Sequence, residues 1–390
     1  MTTASPGASP GASPGASPGA SPGASPGTSP GHPLADAWGD LLDGLRDAAD
    51  TVLGPHGAQS ALEEAEGFRF LTRLTSAAFD MFIEYGDTAR PAFVRLMTPR
   101  RKFYGDNPDT FYDYASIQGR RRYRIAGTRG TTSYLAFCVY GRNEDGQTRI
   151  VANVSDRDFP VDAEGRFELV MSLEAPPAND RATWVQLEPD VEAVIARQYF
   201  LDHDTEQPAE FTILCEDDVP VPGPLQVEPL ARRLRAAGEF VRNGTTFSAH
   251  IAHDLATRPN ELTVQSEAAA VAAFYPTPDN KYVGGWYRLG ADDALVVEGT
   301  PPDTRYWSLL LMSRWMESLD TDHHQTILNK HQATLEPDGS FRIVVAHQDP
   351  GVTNWLDTAG HTEGYVMFRW MQATGITPPT FRLAKLAHLS

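Results

Sequence analysis

The second half of this chain repeats the first, and that constrains its fold more than any other feature. NPDTFY at Asn107 resembles TPDNKY at Thr277, an offset of 170. RYRIAGT, ending at Thr128, matches LVVEGT, ending at Thr300, and EGRFELVMS from Glu164 matches DGSFRIVVA from Asp338, offsets of 172 and 174. Trp184 then falls opposite Trp355, Arg197 opposite Arg369, and PAEFTIL from Pro208 opposite PPTFRLA from Pro378. Landmarks in one order at a nearly constant offset mean that one structural plan is used twice.

Between the landmarks, short runs rich in β-branched and aromatic residues are bounded by Gly, Pro, Asn and Asp, the pattern of antiparallel strands. YLAFCVY, RIVANVS, RFELVMS, AVIARQYF and FTIL of the first copy answer to YWSLLLM, ILNKHQATL, FRIVVAH, YVMFRWM and FRLAKL of the second. Upstream, apolar periodicity over Phe68 to Tyr85 and over Leu230 to Leu255 predicts a helical segment before each set. The expected fold is mainly β with helical segments (α+β): tandem duplicated antiparallel β-sandwich or jelly-roll-like domains, each preceded by helices. The expected division is a tail of residues 1–33, a first unit over 34–222 and a second over 223–390, joined through VPVPGP at Val219 to Pro224. Seven Ser-Pro-Gly triplets fill the tail without a charge or a large apolar side chain, so burial cannot offset its ordering entropy and disorder is expected. Its matches to G-x-S-x-G, as at Gly7 to Gly11, lack the strand and helix that a nucleophile elbow requires.

Charge removes one class of function. With 33 Lys and Arg against 51 Asp and Glu, the net charge of -18 offers no general basic surface for nucleic acid. No apolar run approaches the roughly 18 residues of a membrane span, so no spanning segment is expected. Cys138 and Cys215 sit in apolar runs and read as free thiols in a reducing compartment, which with the absence of a secretory signal gives a cytoplasmic expectation. Glycine-rich phosphate loops are absent, so no nucleotide cofactor is expected.

Toward the C-terminus the order YW, DGSFRI, DPGVTNWLDT, GYVMFRW and FRLAKL closely resembles the bacterial family of domain of unknown function 1214, often found with a companion 1254 domain. The resemblance covers about Asn280 to Leu386, with the repeat extending it more weakly upstream, and Asn354, Trp355 and Arg369 match its motif best. It implies a β-rich two-domain fold and no settled reaction.

Candidate site residues come from asymmetry between the copies. Five of the eleven histidines lie between His323 and His361. If ILNKHQATL and FRIVVAH form a hairpin through EPDG, strand alternation puts Asn329, His331 and His347 on the core-side face, where copy one has only apolar residues. Two imidazoles beside an apolar surface suit general acid–base chemistry, with Asn329 orienting the substrate. Trp307, Asn354, Trp355, Tyr365 and Arg369 would line the same pocket. Copy one instead carries Asp202, Asp204 and Glu206 in DHDTE, alternate carboxylates of the type a divalent metal takes. Arg197 and Arg369, mid-strand among apolar neighbours, must find carboxylates or carbonyls, and structural pairing or anion recognition would satisfy them.

Three functions fit these residues. One is an enzyme acting by histidine chemistry on a small, largely apolar substrate of lipid, isoprenoid or polyketide type. Another is a non-catalytic lipid- or carbohydrate-binding protein. The last is a metal-dependent hydrolase or lyase, or a scaffold that works as a homo-oligomer.

Overall fold

The computed structural model describes residues 31–264, 275 and 277–389. The Ser-Pro-Gly tail expected to be disordered lies outside the described residues. Helix α1 (Pro33–Leu53) starts on a proline, which suits a first turn whose N–H groups need no partner. Helix α2 (Ala61–Ala78) is capped by Ser60, whose side chain accepts from the Glu63 amide, while Glu63 accepts from the Gln59 amide at 2.7 Å. A π-helical stretch, Phe79–Glu84, extends α2, so the helix expected over Phe68 to Tyr85 is the later part of a longer element.

The first copy follows with β1 (Val94–Arg95), β2 (Thr110–Ser116), β3 (Tyr123–Thr128), β4 (Tyr134–Arg142), β5 (Thr148–Ser155), β6 (Arg166–Ser172), β7 (Thr183–Gln186), β8 (Val191–Tyr199) and β9 (Glu210–Cys215). Helix α3 (Val227–Ala256) leads into the second: β10 (Leu262–Val264), β11 (Asn280–Arg288), β12 (Asp293–Gly299), β13 (Tyr306–Met312), β14 (Ile327–Asn329), β15 (Phe341–Ala346), β16 (Trp355–Asp357), β17 (Glu363–Met371) and β18 (Thr380–Lys385). Sheet order repeats between the copies. The order β1-β2-β8-β4-β5 becomes β10-β11-β17-β13-β14, and β7-β6-β3-β9 becomes β16-β15-β12-β18. The duplication legible in the sequence is thus a duplication of topology.

In each copy a five-stranded and a four-stranded sheet close on a shared core. Phe137, Val194 and Ala196 meet Phe167, Leu169 and Ile213 in the first, and Leu309, Val366 and Phe368 meet Leu295, Phe341 and Ile343 in the second. Alternate residues of the five-stranded sheets point the other way. Cys138, Tyr140 and Ile195 pack against Leu41, Phe70 and Phe240 of the helices, and Leu310 and Met367 sit with Ala252. Their central strands are therefore buried on both faces, which is why they read as unbroken apolar runs rather than alternating ones. Among the described residues no helix is long and apolar enough to cross a membrane.

The expected hairpin between ILNKHQATL and FRIVVAH does not form. The strand β14 ends at Asn329 and pairs with β13 (Ser308 with Asn329), whereas β15 pairs with β12 and β16 in the other sheet. The EPDG turn exists, with Gly339 at φ +83°, but it carries the chain across the sandwich. Asn329 ends its strand: its side-chain oxygen accepts from the amides of His331 (2.9 Å) and Gln332 (3.1 Å), the local competition by which asparagine makes turns.

Helices α1 and α3 cross on glycines, since a Cβ at Gly44 would lie 2.7 Å from the Gly238 carbonyl oxygen. Gly44→Ala is expected to cost about 1–3 kcal/mol by overpacking. Denaturant unfolding checks this, and unchanged stability would mean that the helices do not meet there.

Candidate functional site

The two copies are joined by contacts that are exchanged in pairs. Tyr134 donates to Asp279 at 2.7 Å, and its twin Tyr306 donates to Asp109, the twin of Asp279, also at 2.7 Å. Arg197 Nη2 donates to the Tyr275 carbonyl at 2.6 Å, and its twin Arg369 donates to the Gly105 carbonyl at 2.5 Å, Gly105 and Tyr275 again being 170 residues apart. Residue i touching j′ while i′ touches j is the signature of two-fold packing, here inside one chain.

Strand periodicity explains why the arginines face this seam. On β8, Val194 and Ala196 face the sandwich core, so Ile195, Arg197 and Tyr199 face away from it, and β17 does the same with Val366 and Phe368 against Met367 and Arg369. Between the seam and the helices lies a chamber of about 140 Å³. Its wall contains twin pairs: Tyr112 and Tyr282, Ile195 and Met367, Arg197 and Arg369, Gly105 and Tyr275. Phe240, Phe247 and Ile251 of α3, with Leu96, Met97 and Phe103, make the rest mostly apolar. Three non-glycine residues in left-handed conformation also line it, Tyr104 (φ 50°), Tyr275 (φ 51°) and Met316 (φ 56°). Such strain concentrates at ligand clamps.

Both guanidiniums are buried, 4% and 2% exposed. Arg197 donates to the Tyr140 hydroxyl and the Tyr275 carbonyl, with the Cys138 thiol beside it, and Arg369 donates to the carbonyls of Gly105 and Asp106. Arg197 Nε and Arg369 Nη1 have no hydrogen-bond partner, and neither guanidinium meets a carboxylate among the described residues. The sequence left carboxylates and carbonyls open as partners, and the structure supplies carbonyls. Burial pushes the Tyr199 hydroxyl up to about 12, so it stays a neutral hydrogen-bonding group.

A wider polar cleft of about 610 Å³ lies between the 97–111 and 318–332 segments, with Thr321, Asp322, His323 and His324 in its wall. Here Arg95 pairs with Asp113 (2.6 Å), Asp322 with Arg100 (2.7 Å) and His324 with Asp357 (2.7 Å), while buried Lys102 donates to the carbonyls of Ser318 (2.9 Å) and Leu319 (2.8 Å). Asp109 accepts from Tyr306 and from Asn329 (3.0 Å), and burial raises its carboxyl despite these bonds.

Of the residues expected to form a site, only Arg369 lines the chamber. The structure does not bring His331 and His347 together. His331 is exposed in the turn after β14, and half-buried His347 bonds to Thr358 Oγ1 (2.8 Å) and the Leu289 carbonyl (3.3 Å). Asn329 ties the copies through Asp109 and the Leu201 carbonyl. Trp307 and Tyr365 are core residues, Trp307 tilted against Phe341 and Tyr365 edge-to-face with Trp286. Asn354 clasps the Thr334 backbone (2.7 and 2.9 Å), and Trp355 Nε1 donates to the Ala346 carbonyl at 3.1 Å. Asp202 and Glu206, expected with Asp204 as metal ligands, are engaged by their own loop. Asp202 accepts from the Asp204 amide and Thr205, and Glu206 from the amides of Leu201 and Asp202, so the loop's carboxylates cap its own backbone. Among the described residues no group of three or more His, Cys, Asp or Glu converges to hold a metal. Arg121 and Arg122 likewise pair within copy one, with Asp217, Asp180 and Glu216. Arg197, singled out with Arg369 as a mid-strand cation, lines the chamber too, whereas Tyr112 and Tyr282 were missed, although their twin positions were visible in the repeat.

Two consequences are measurable. Asn329→Ala is expected to destabilise by about 1–3 kcal/mol through the lost donors to buried Asp109 and the Leu201 carbonyl, while His331→Ala stays within about 0.5 kcal/mol of the parent. Equal effects in urea unfolding would refute this assignment. Burial pushes buried Glu317 up to about 7 against the opposing charge of Arg73, and His361, although burial works to lower it, is raised by its bond to Glu66. Both groups bind protons more tightly in the folded state than when unfolded, so stability should fall as pH rises from about 5 to about 8, and Glu317→Gln should flatten that slope. A thermal melt series across this range tests the sign.

Residues 273–374 match the family described as "Protein of unknown function (DUF1214)". An uncharacterised protein from Burkholderia cenocepacia, solved by crystallography, is 35% identical over 90% of this chain and 98% of its own, with a TM-score of 0.85. The VPA0106 protein from Vibrio parahaemolyticus aligns over 88% of this chain and 100% of its own at 11% identity, with a TM-score of 0.48. No curated protein matches. The matched segment falls in copy two, so the weaker resemblance of the N-terminal half to the 1254 companion gains no support. With a relative 35% identical along almost its whole length and the family segment spanning most of the second copy, the chain belongs to the DUF1214 family.

Proposed function

We propose that this protein binds a small organic anion with an apolar body in the chamber between its two copies. The observation that carries this is the pair of buried guanidiniums, without a carboxylate partner, on the wall of a mostly aromatic and aliphatic cavity. A buried cation left unpaired costs several kcal/mol, and an incoming carboxylate or similar anion supplies what is missing. Arginine's planar fork is suited to such groups. Size narrows the class. A cavity of about 150 Å³ accommodates benzene, so the chamber of about 140 Å³ suits an aromatic ring or a short branched chain rather than a long lipid.

Binding fits the lining better than histidine catalysis. Among the described residues of the wall there is no imidazole, carboxylate, amine or thiol to move a proton near neutrality. Neither His331 nor His347, for which acid–base roles were expected, lines the chamber or the polar cleft.

Calorimetric titration of the full chain with benzoate and hexanoate, beside benzamide and hexanol, tests the proposal. Carboxylates are expected to bind and raise the melting temperature, with neutral counterparts at least about tenfold weaker. Equal binding of neutral and charged probes, or binding of neither, overturns it.

A further inference from the structure

The chamber's charge goes beyond what one carboxylate can satisfy. Three arginines are fully buried in the described structure: Arg197, Arg314 and Arg369. Arg314 follows the usual rule and pairs with Glu63 at 2.9 Å. The less buried arginines of the interior do the same, Arg73 with Glu317 at 2.7 Å and Arg305 with Asp156 at 2.6 Å. Arg197 and Arg369 alone among the three break the rule, and they break it on the wall of one cavity.

Duplication explains why there are two. Arg197 and Arg369 occupy the same position of twin strands β8 and β17, paired across the sheet with the twin tyrosines Tyr112 and Tyr282. Their guanidiniums lie 5.7 and 6.0 Å from those rings. Each spends donors on a carbonyl of the other copy and keeps one nitrogen unused. Tyr112 and Tyr199 each lie within electrostatic reach of both guanidiniums, so the two cations share one space. The chamber thus carries two guanidiniums at equivalent positions of the twin copies, among mostly apolar lining residues.

A monoanion in such a space neutralises one cation and leaves the other buried and unpaired, whereas a ligand with an anionic group at each end neutralises both. Resting on the binding reading above, we infer that the ligand class is a compact dicarboxylate, or an equivalent dianion, with an apolar spacer that bridges Arg197 and Arg369. The polar cleft is a poorer match for a dianion, because Arg95 already holds Asp113 and its one buried cation bonded only to carbonyls is Lys102.

The test is a titration of the intact wild-type chain with pairs matched in spacer: succinate and butyrate, adipate and hexanoate, terephthalate and benzoate. At least one dicarboxylate is expected to bind about tenfold or more tightly than its monocarboxylate, the margin that a second charged hydrogen-bonded contact provides. Arg197→Met and Arg369→Met should each abolish that margin while leaving monocarboxylate binding measurable. Because either variant risks losing the seam, Arg197→Lys, which keeps the charge but not the fork, gives a milder check and should reduce the margin without erasing it. Monocarboxylates binding as tightly as every dicarboxylate would overturn the dianion inference and leave the simpler binding function standing. Failure of all six probes would overturn both.

Discussion

The position of every functional group discussed here follows from one interaction: the exchange of partners between Tyr134 and Asp279 on one side and Tyr306 and Asp109 on the other. These side chains are largely removed from water, and a hydroxyl or carboxylate left unpaired there costs about 1–3 kcal/mol, so the sandwiches hold one relative placement. Rings continue the joint, with Tyr199 stacked edge-on between Tyr134 and Tyr306 at 5.5 and 5.1 Å. Helix α3 then roofs the space the seam leaves open.

That placement turns a duplication into a site. A single sandwich carrying one arginine on its outer face would have an exposed cation. Two such faces, turned toward each other and covered by helices, enclose both cations and make their solvation a problem that backbone carbonyls solve only partly. The left-handed residues Tyr104 and Tyr275, each beside or at the carbonyl that receives an arginine, show where the backbone bends to provide that partial solution.

Much of this was legible before any coordinates. The landmark that first exposed the repeat, NPDTFY against TPDNKY, contains Asp109, Asp279, Tyr112 and Tyr282, the acceptors of the seam and two walls of the chamber. The strand-by-strand correspondence of the copies and the doubling of Arg197 by Arg369 follow from the same offsets. Helix α1 was not legible, because its glycines resemble breaks, and Gly44 serves a helix crossing that only tertiary structure reveals. The histidine pocket failed for a local reason with a global effect. Asn329 uses its own side chain to stop β14, so the alternation assumed to run on through His331 ends two residues early. The copies were compared for their differences, whereas the unmet charge resides in what they have in common.

The exchange also bears on how small a working unit can be. The family segment, residues 273–374, includes Tyr306 and Arg369 but neither Asp109 nor Gly105. Excised, it would expose one flank of its five-stranded sheet together with a stranded cation, and α3, which shields Leu310 and Met367, would be lost with it. The heritable module and the autonomous folding body are therefore different objects: evolution copied a sandwich, but only the pair of them, laced through each other's hydrogen bonds, makes a self-sufficient protein.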